Sequence, residues 1–157
     1  WDIGSGIGSI GLEALRIRPQ LKLLTLEKRA GCKELIKKNA IRLSVNPLAI
    51  IEAEAINFLT QGSIPSELEN PDRVILGGGG RDRCSLLQNI LPRLSENGIV
   101  VIPLSTIEAV NEIVNILKNA NNLSKVSFHQ AYRGIPLGEG TRLAPMNPVF
   151  IVKGEII

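Results

Sequence analysis

The chain predicts a three-layer α/β/α fold built on a mostly parallel sheet whose last strand runs antiparallel. Short apolar runs alternate with helix-period stretches, which is the pattern of a parallel sheet covered by helices on both faces. A glycine-rich turn joins the first strand stub to the first helix, and the last two apolar runs are linked by a segment too rich in breakers to be helical. With 157 residues, 44% of them hydrophobic, the chain reads as one domain over residues 1–157.

Trp1-Asp2-Ile3 reads as the stub of a strand whose earlier residues are expected before Trp1. Gly8 to Ile17 is the first helix, and Leu21 to Glu27 the next strand. The second helix, Lys28 to Leu43, places Cys32, Leu35, Ile36, Ala40 and Leu43 on one face. Leu48 to Ala53 is a strand, after which Pro65 and Pro71 bracket a loop leading to the strand Arg73 to Leu76. Arg83 to Leu94 is the third helix, and Asn97-Gly98 turns the chain into the strand Ile99 to Leu104. Ser105-Thr106-Ile107-Glu108 has capping-box spacing, and Val110, Ile113, Val114 and Leu117 then repeat at helical intervals as a fourth helix. The runs Val126 to Ala131 and Val149 to Val152 are expected to pair antiparallel, with Gly134, Pro136, Gly138, Gly140 and Pro145 in a long loop between them.

Composition excludes several functions. No apolar run approaches the roughly 18 residues that cross a bilayer, and no targeting peptide is visible, so no membrane contact is expected and the cytoplasm is the expected compartment. Cys32 and Cys84 lie far apart and His129 is the one histidine, which excludes a zinc finger, a disulfide framework and any His-based triad with a spare His, and no metal site is expected. Both cysteines read as small buried or half-buried apolar residues, and His129 as a core or surface residue rather than a catalytic one. The net charge of +3 is evenly spread and five aromatic residues are few for stacking bases, so no nucleic-acid partner is expected. Lys33, Lys37, Lys38 and Arg42 read as the solvated face of the second helix.

Glycine is distributed unevenly: eight of fifteen copies fall in Gly4, Gly6, Gly8 and Gly11 and in Gly77 to Gly80. In the first cluster, glycines between a strand and a helix let a ligand approach the backbone, and the helix start offers free N–H groups. Glu27 ends the next strand, placed to accept hydrogen bonds from both hydroxyls of a ribose. Gly6-x-Gly8-x-x-Gly11 also fits a dinucleotide fingerprint, and a glycine turn without ligand is a third reading. The offset favours another cofactor, because a dinucleotide fold starting at Gly4 would put its third glycine where Ser9 stands. Asp2-x-Gly4-x-Gly6-x-Gly8 resembles the first motif of class I methyltransferases that use S-adenosyl-L-methionine, with Glu27 as their ribose-binding acid.

Further motifs narrow the resemblance. Trp1 to Gly6, Glu13-Ala14, Asp72 to Gly78, and Leu143 to Val152 with its Asn147-Pro148-Val149-Phe150-Ile151-Val152 core resemble the CbiT/CobL methyltransferases of cobalamin biosynthesis, across essentially the whole chain. These are decarboxylating precorrin methyltransferases acting at carbon 15 of the macrocycle. The resemblance implies a class I Rossmann-like fold with a seven-stranded sheet, and methyl transfer from S-adenosylmethionine to a precorrin or cobalt-precorrin with loss of carbon dioxide from the ring C acetate. It implies that Asp2, Gly4, Ser5, Gly6 and Gly8 line the methionine end of the cofactor, Glu27 the ribose and Glu54 with Ala55 the adenine, where the family usually has Gly-Asp-Ala. Gly77 is expected to border cofactor, and Gly78 and Gly79 with Arg81, Arg133 and Arg142 to face a substrate rich in carboxylates. No catalytic base is assigned, because such a reaction draws mainly on alignment. The resemblance further implies a homo-oligomer, possibly a tetramer, and a C5-methyltransferase domain that is fused or separate. An RNA methyltransferase of the same fold and a non-catalytic scaffold are the competing expectations.

Overall fold

The computed structural model describes residues 1–78 and 80–156, so Gly79 lies outside the described residues. The strands are β1 (Asp2–Ile3), β2 (Leu24–Glu27), β3 (Ala49–Glu52), β4 (Arg73–Leu76), β5 (Ile99–Leu104), β6 (Leu123–His129), β7 (Tyr132–Leu137), β8 (Gly140–Pro145) and β9 (Val149–Glu155). Five helices intervene: α1 (Ser9–Ile17), α2 (Cys32–Leu43), α3 (Ala55–Gln61), α4 (Arg83–Ile90) and α5 (Ile107–Asn119). Seven strands form one sheet in the order β3-β2-β1-β4-β5-β9-β6, and β7 pairs with β8 in a separate ribbon. Strands β1 to β5 run parallel, whereas β9 is antiparallel to both β5 and β6. The reversed last strand is therefore present as expected.

Side-chain alternation along the strands sorts the core into two layers. Leu24, Leu26, Ala49 and Ile51 point to the layer of Leu86, Leu87, Ile90, Ile113 and Leu117 from α4 and α5. Leu23 and Ile50 point the other way, to Leu12, Leu15, Ile36 and Ala40 of α1 and α2. Cys32 is buried and Cys84 half-buried, both unpaired. Among the described residues no helix is long and apolar enough to cross a membrane.

Several boundaries differ from the sequence expectation, each for a local reason. Helix α2 starts at Cys32 rather than Lys28, because the chain turns through Gly31 at φ 82°. Helix α4 stops at Ile90 and continues as a tight turn over Leu91–Arg93, where Pro92 removes a donor. The cap of α5 falls one residue later than the capping-box spacing suggested: the Thr106 side chain accepts from the Ala109 N–H. Helix α3 occupies part of a stretch that carried no element in the sequence reading; it buries Leu59 alone. The long loop before the last strand is a β-hairpin. Leu137 pairs with Gly140, leaving Gly138-Glu139 as the turn with Gly138 at φ 58°. Pro136 and Pro145 are tolerated because both strands of a two-stranded ribbon are edges.

Candidate active site

The C-terminal ends of the parallel strands converge on a cleft of about 350 Å³. Gly4, Glu27, Arg29, Glu54, Ala55, Gly77, Gly78 and Gly80 are among its lining residues. Ligands of open α/β sheets bind at this edge, where the strand order reverses, here between β1 and β4. A more open polar hollow of about 540 Å³ lies between Gln61–Ile64 and Arg93 and gathers none of the candidate residues.

The wall of the cleft is main chain. Gly4, Gly6 and Gly8 take φ of 73°, 61° and 84°, a region that side chains disfavour. A Cβ on Gly4 would stand 2.5 Å from the Gly78 nitrogen, and one on Gly78 would stand 3.0 Å from the Gly4 Cα. Gly4 and Gly78 are thus one surface, each bare because the other is pressed against it. Ser5 Oγ is buried within the turn with no hydrogen-bond partner.

Asp2 stands behind that wall. Its Oδ2 accepts from the Gly11 N–H at 3.0 Å, which supplies the cap that Gly8, having no side chain, withholds from α1. Burial pushes the Asp2 carboxyl above its ordinary pKa, and the Gly11 hydrogen bond offsets part of that. Gly8 likewise packs on Leu12 and Ile36 rather than on the cleft.

Glu27 is the most heavily bonded side chain of the site. Oε1 accepts from the N–H groups of Lys28 and Arg29 and from Arg29 Nε, while Oε2 accepts from the Gly6 N–H at 2.8 Å. Burial raises its pKa, but the hydrogen bonds from Arg29 and Gly6 outweigh it and hold the carboxyl below the usual range. Glu54 precedes α3 and pairs with Lys28 at 3.3 Å. The sequence reading passed over Lys28 and Arg29; the signal was two cations directly after the acid that ends β2.

The arginines expected to face substrate reach the same edge by topology. Because β6 runs parallel to β5, its end at His129 and the hairpin that follows lie at the edge where β1, β2 and β4 also end. Register places Arg133 and Arg142 on one face of the ribbon, around the half-buried Ile135 and Ala144. Among the described residues neither arginine forms an ion pair. Arg81 is exposed in the turn Gly80–Asp82 beside the cleft. His129 is exposed at the end of β6, its Nε2 2.9 Å from Ser127 Oγ, away from the cleft lining. Among the described residues no group of three His, Cys, Asp or Glu side chains could hold a metal ion.

The bare glycine wall, the orphaned Ser5 hydroxyl and the carboxylate at the end of β2 fit a nucleoside-bearing cofactor. Comparison with known proteins agrees. The model of the precorrin methyltransferase domain matches residues 1–154. A Pyrobaculum aerophilum protein named "probable cobalt-precorrin-6B C(15)-methyltransferase (decarboxylating)" is 32% identical over 153 residues, spanning 96% of this chain and 75% of that protein. A Sulfurisphaera tokodaii protein of the same name is 33% identical over 155 residues, spanning 98% and 78%. The solved precorrin-6Y C5,15-methyltransferase of Geobacter metallireducens has a TM-score of 0.85 at 24% identity, over 99% of this chain and 78% of that one, which is a likeness of fold.

Proposed function

The chain belongs to the precorrin methyltransferase family, and from that premise we propose that it methylates carbon 15 of a precorrin or cobalt-precorrin and releases carbon dioxide from the ring C acetate. The observation that carries this reading is the pairing, on one sheet edge, of a nucleoside-sized cleft with two unpaired arginines on one ribbon face. S-adenosylmethionine supplies an electrophilic methyl group when bound. Glu27 accepts the ribose hydroxyls, Glu54 and Ala55 border the adenine, and Gly4, Gly77 and Gly78 let the methionine portion lie against main chain. Ser5 Oγ offers that portion a donor or acceptor that no protein group uses. Asp2 keeps the turn and the start of α1 in register rather than touching ligand.

The chain's contribution to the reaction is alignment. Methyl transfer to a carbon that carries its own electron pair would need no side-chain base, so Glu27 and the wall of Gly4, Gly77 and Gly78 would serve to hold the methyl donor in line. In the decarboxylation, the electron pair of the broken carbon–carbon bond enters the conjugated macrocycle, and a proton from solvent or a side chain completes the ring C methyl. Arg81, Arg133 and Arg142 hold the substrate carboxylates through charge-assisted hydrogen bonds. Strand β6, which leads into the hairpin, lies four strand spacings from β1, roughly 19 Å, which suits a broad ligand. Incubation with the precorrin substrate and S-adenosylmethionine should add one methyl group and remove one carbon dioxide by mass spectrometry; an unchanged substrate mass would sink this reading.

The outer face of the ribbon and the edge of the sheet suit a second copy of the chain. Tyr132 and Leu143 are 58% and 68% exposed, and Val126 and Phe128 on the outer strand β6 are about half exposed. Light scattering should give an oligomeric mass that Leu143→Lys lowers. The two unpaired cysteines suit the cytoplasm.

A further inference from the structure

Five donors converge on the Glu27 carboxylate, although an ionised carboxylate has only about four lone-pair sites. Three of the five are backbone N–H groups, from Gly6, Lys28 and Arg29, and they are fixed by the turns that carry them. The other two belong to one guanidinium: Arg29 Nε reaches Oε1 at 3.1 Å and Nη2 reaches Oε2 at 3.5 Å. This fork spans both oxygens. Its side chain is 65% exposed, whereas that of Glu27 is 7% exposed, so the arginine has room to leave and the acid has none.

A guanidinium fork and a vicinal diol offer a carboxylate the same pattern, two donors with one for each oxygen. They compete for one edge. We propose that Arg29 is a latch on the nucleoside end of the cleft: in the ligand-free protein its fork takes the place of the ribose diol on Glu27, and a diol-bearing ligand displaces it. The proposal rests on the assignment of Glu27 to the ribose. Gly6 provides the space in which the latch lies, since a Cβ there would come within 3.2 Å of Nη2. The neighbouring Lys28 pairs with Glu54, so both acids at this end are covered by consecutive cations of one turn.

Opening the latch costs little, because an ion pair with one exposed partner is weak and screened by salt. Its signature is therefore a small gain on deletion, with a particular salt dependence. By calorimetry with S-adenosylhomocysteine, Arg29→Ala should bind about threefold tighter than wild type near 50 mM salt, and the two should converge near 500 mM salt. Arg29→Lys, which keeps the charge but cannot form the fork, should fall between them. The Arg29 Nε–H resonance should move toward that of a solvated guanidinium as ligand is added. Equal or weaker binding by Arg29→Ala at low salt, with wild-type binding intact, would overturn the latch while leaving the cofactor reading standing. Wild type failing to bind at millimolar ligand would remove both.

Discussion

The two ends of the ligand-binding edge are built from different materials. At the β1–β4 end the surface is largely main chain: Gly4 at positive φ, Gly78 pressed on it, and a carboxylate bonded by three backbone N–H groups. At the β6–β9 end the surface is side chain on an exposed two-stranded ribbon, with exposed arginines that form no ion pair among the described residues. The first end is therefore set by folding, while the second, on the proposed substrate role, would be free to adjust to its ligand. A rigid site suits a cofactor that is the same in every turnover, and an adaptable one suits a large substrate that changes as it reacts.

The sharpest way to break this comparison is to add one methyl group at each end. Gly4→Ala places a Cβ 2.5 Å from the Gly78 nitrogen at φ 73°, combining backbone strain with overpacking, and should cost on the order of 3 kcal/mol in chemical denaturation. Gly140→Ala on the ribbon meets nothing closer than the Leu137 carbonyl oxygen at 3.6 Å and should change stability by less than about 0.5 kcal/mol. Similar effects of the two would mean that the glycine wall is not the rigid element.

Asp2 sharpens the same point from behind the wall. Asp2→Ala leaves the buried Gly11 N–H unpaired and uncaps α1, for a loss of roughly 1 to 3 kcal/mol. The sign of its pH dependence is specific. Because burial raises the folded pKa above the ordinary 3.8, the contribution of Asp2 to stability is present below that value and is lost as pH rises through the folded pKa. The stability of Asp2→Asn relative to wild type should therefore improve between about pH 3 and about pH 7. A difference that stays flat with pH would mean that burial does not shift this group.

On the proposed ribose role, Glu27 matters to binding as well as to the turn whose backbone N–H groups it accepts. Glu27→Gln should weaken S-adenosylhomocysteine by on the order of 1 to 3 kcal/mol, since the diol then faces an amide in place of a charged acceptor. The depressed carboxyl keeps wild-type affinity level as pH falls through the ordinary carboxylate range, with loss only as pH passes through its lowered pKa. Decline beginning near pH 6 in calorimetry would contradict the arrangement of donors around Glu27.

The difference between the ends also explains what could be read from the amino-acid order. Gly4 and Gly78 were legible because only glycine satisfies a positive φ or so close a backbone contact, and such constraints leave a mark on residue type. Strands β4 and β5 were legible in full because they are apolar runs between clear turns. The helix-capping bond of Asp2 was not legible, since its acidity does not reveal which N–H it meets nine residues on. Helix α3 went unread because it is only seven residues long: Ala55, Ile56, Phe58 and Leu59 meet the core at helical spacing but span little more than one turn. The β7–β8 ribbon was read as loop because its glycines and prolines break most elements and are tolerated only where strands are edges. Arg29 was missed because a surface cation beside an acid has many ordinary uses, and geometry alone sets this fork across both oxygens.

The smallest expected effect on the fold carries the most information about the substrate. Arg133→Ala and Arg142→Ala remove exposed, unpaired side chains, so stability should move by less than about 0.5 kcal/mol and cofactor affinity should not move. Each should raise KM for the precorrin on the order of tenfold, the loss of one charge-assisted hydrogen bond partly compensated by water. The double variant decides how the two act. As diagonal neighbours across the ribbon, with Cβ atoms roughly 7 Å apart, they repel until a polyanion arrives. If each holds its own carboxylate, the two KM effects multiply; if both close on a single carboxylate, the second deletion adds little. Loss of cofactor affinity in either single variant would show that the ribbon is joined to the glycine wall after all, and the division between a rigid and an adaptable end would fail.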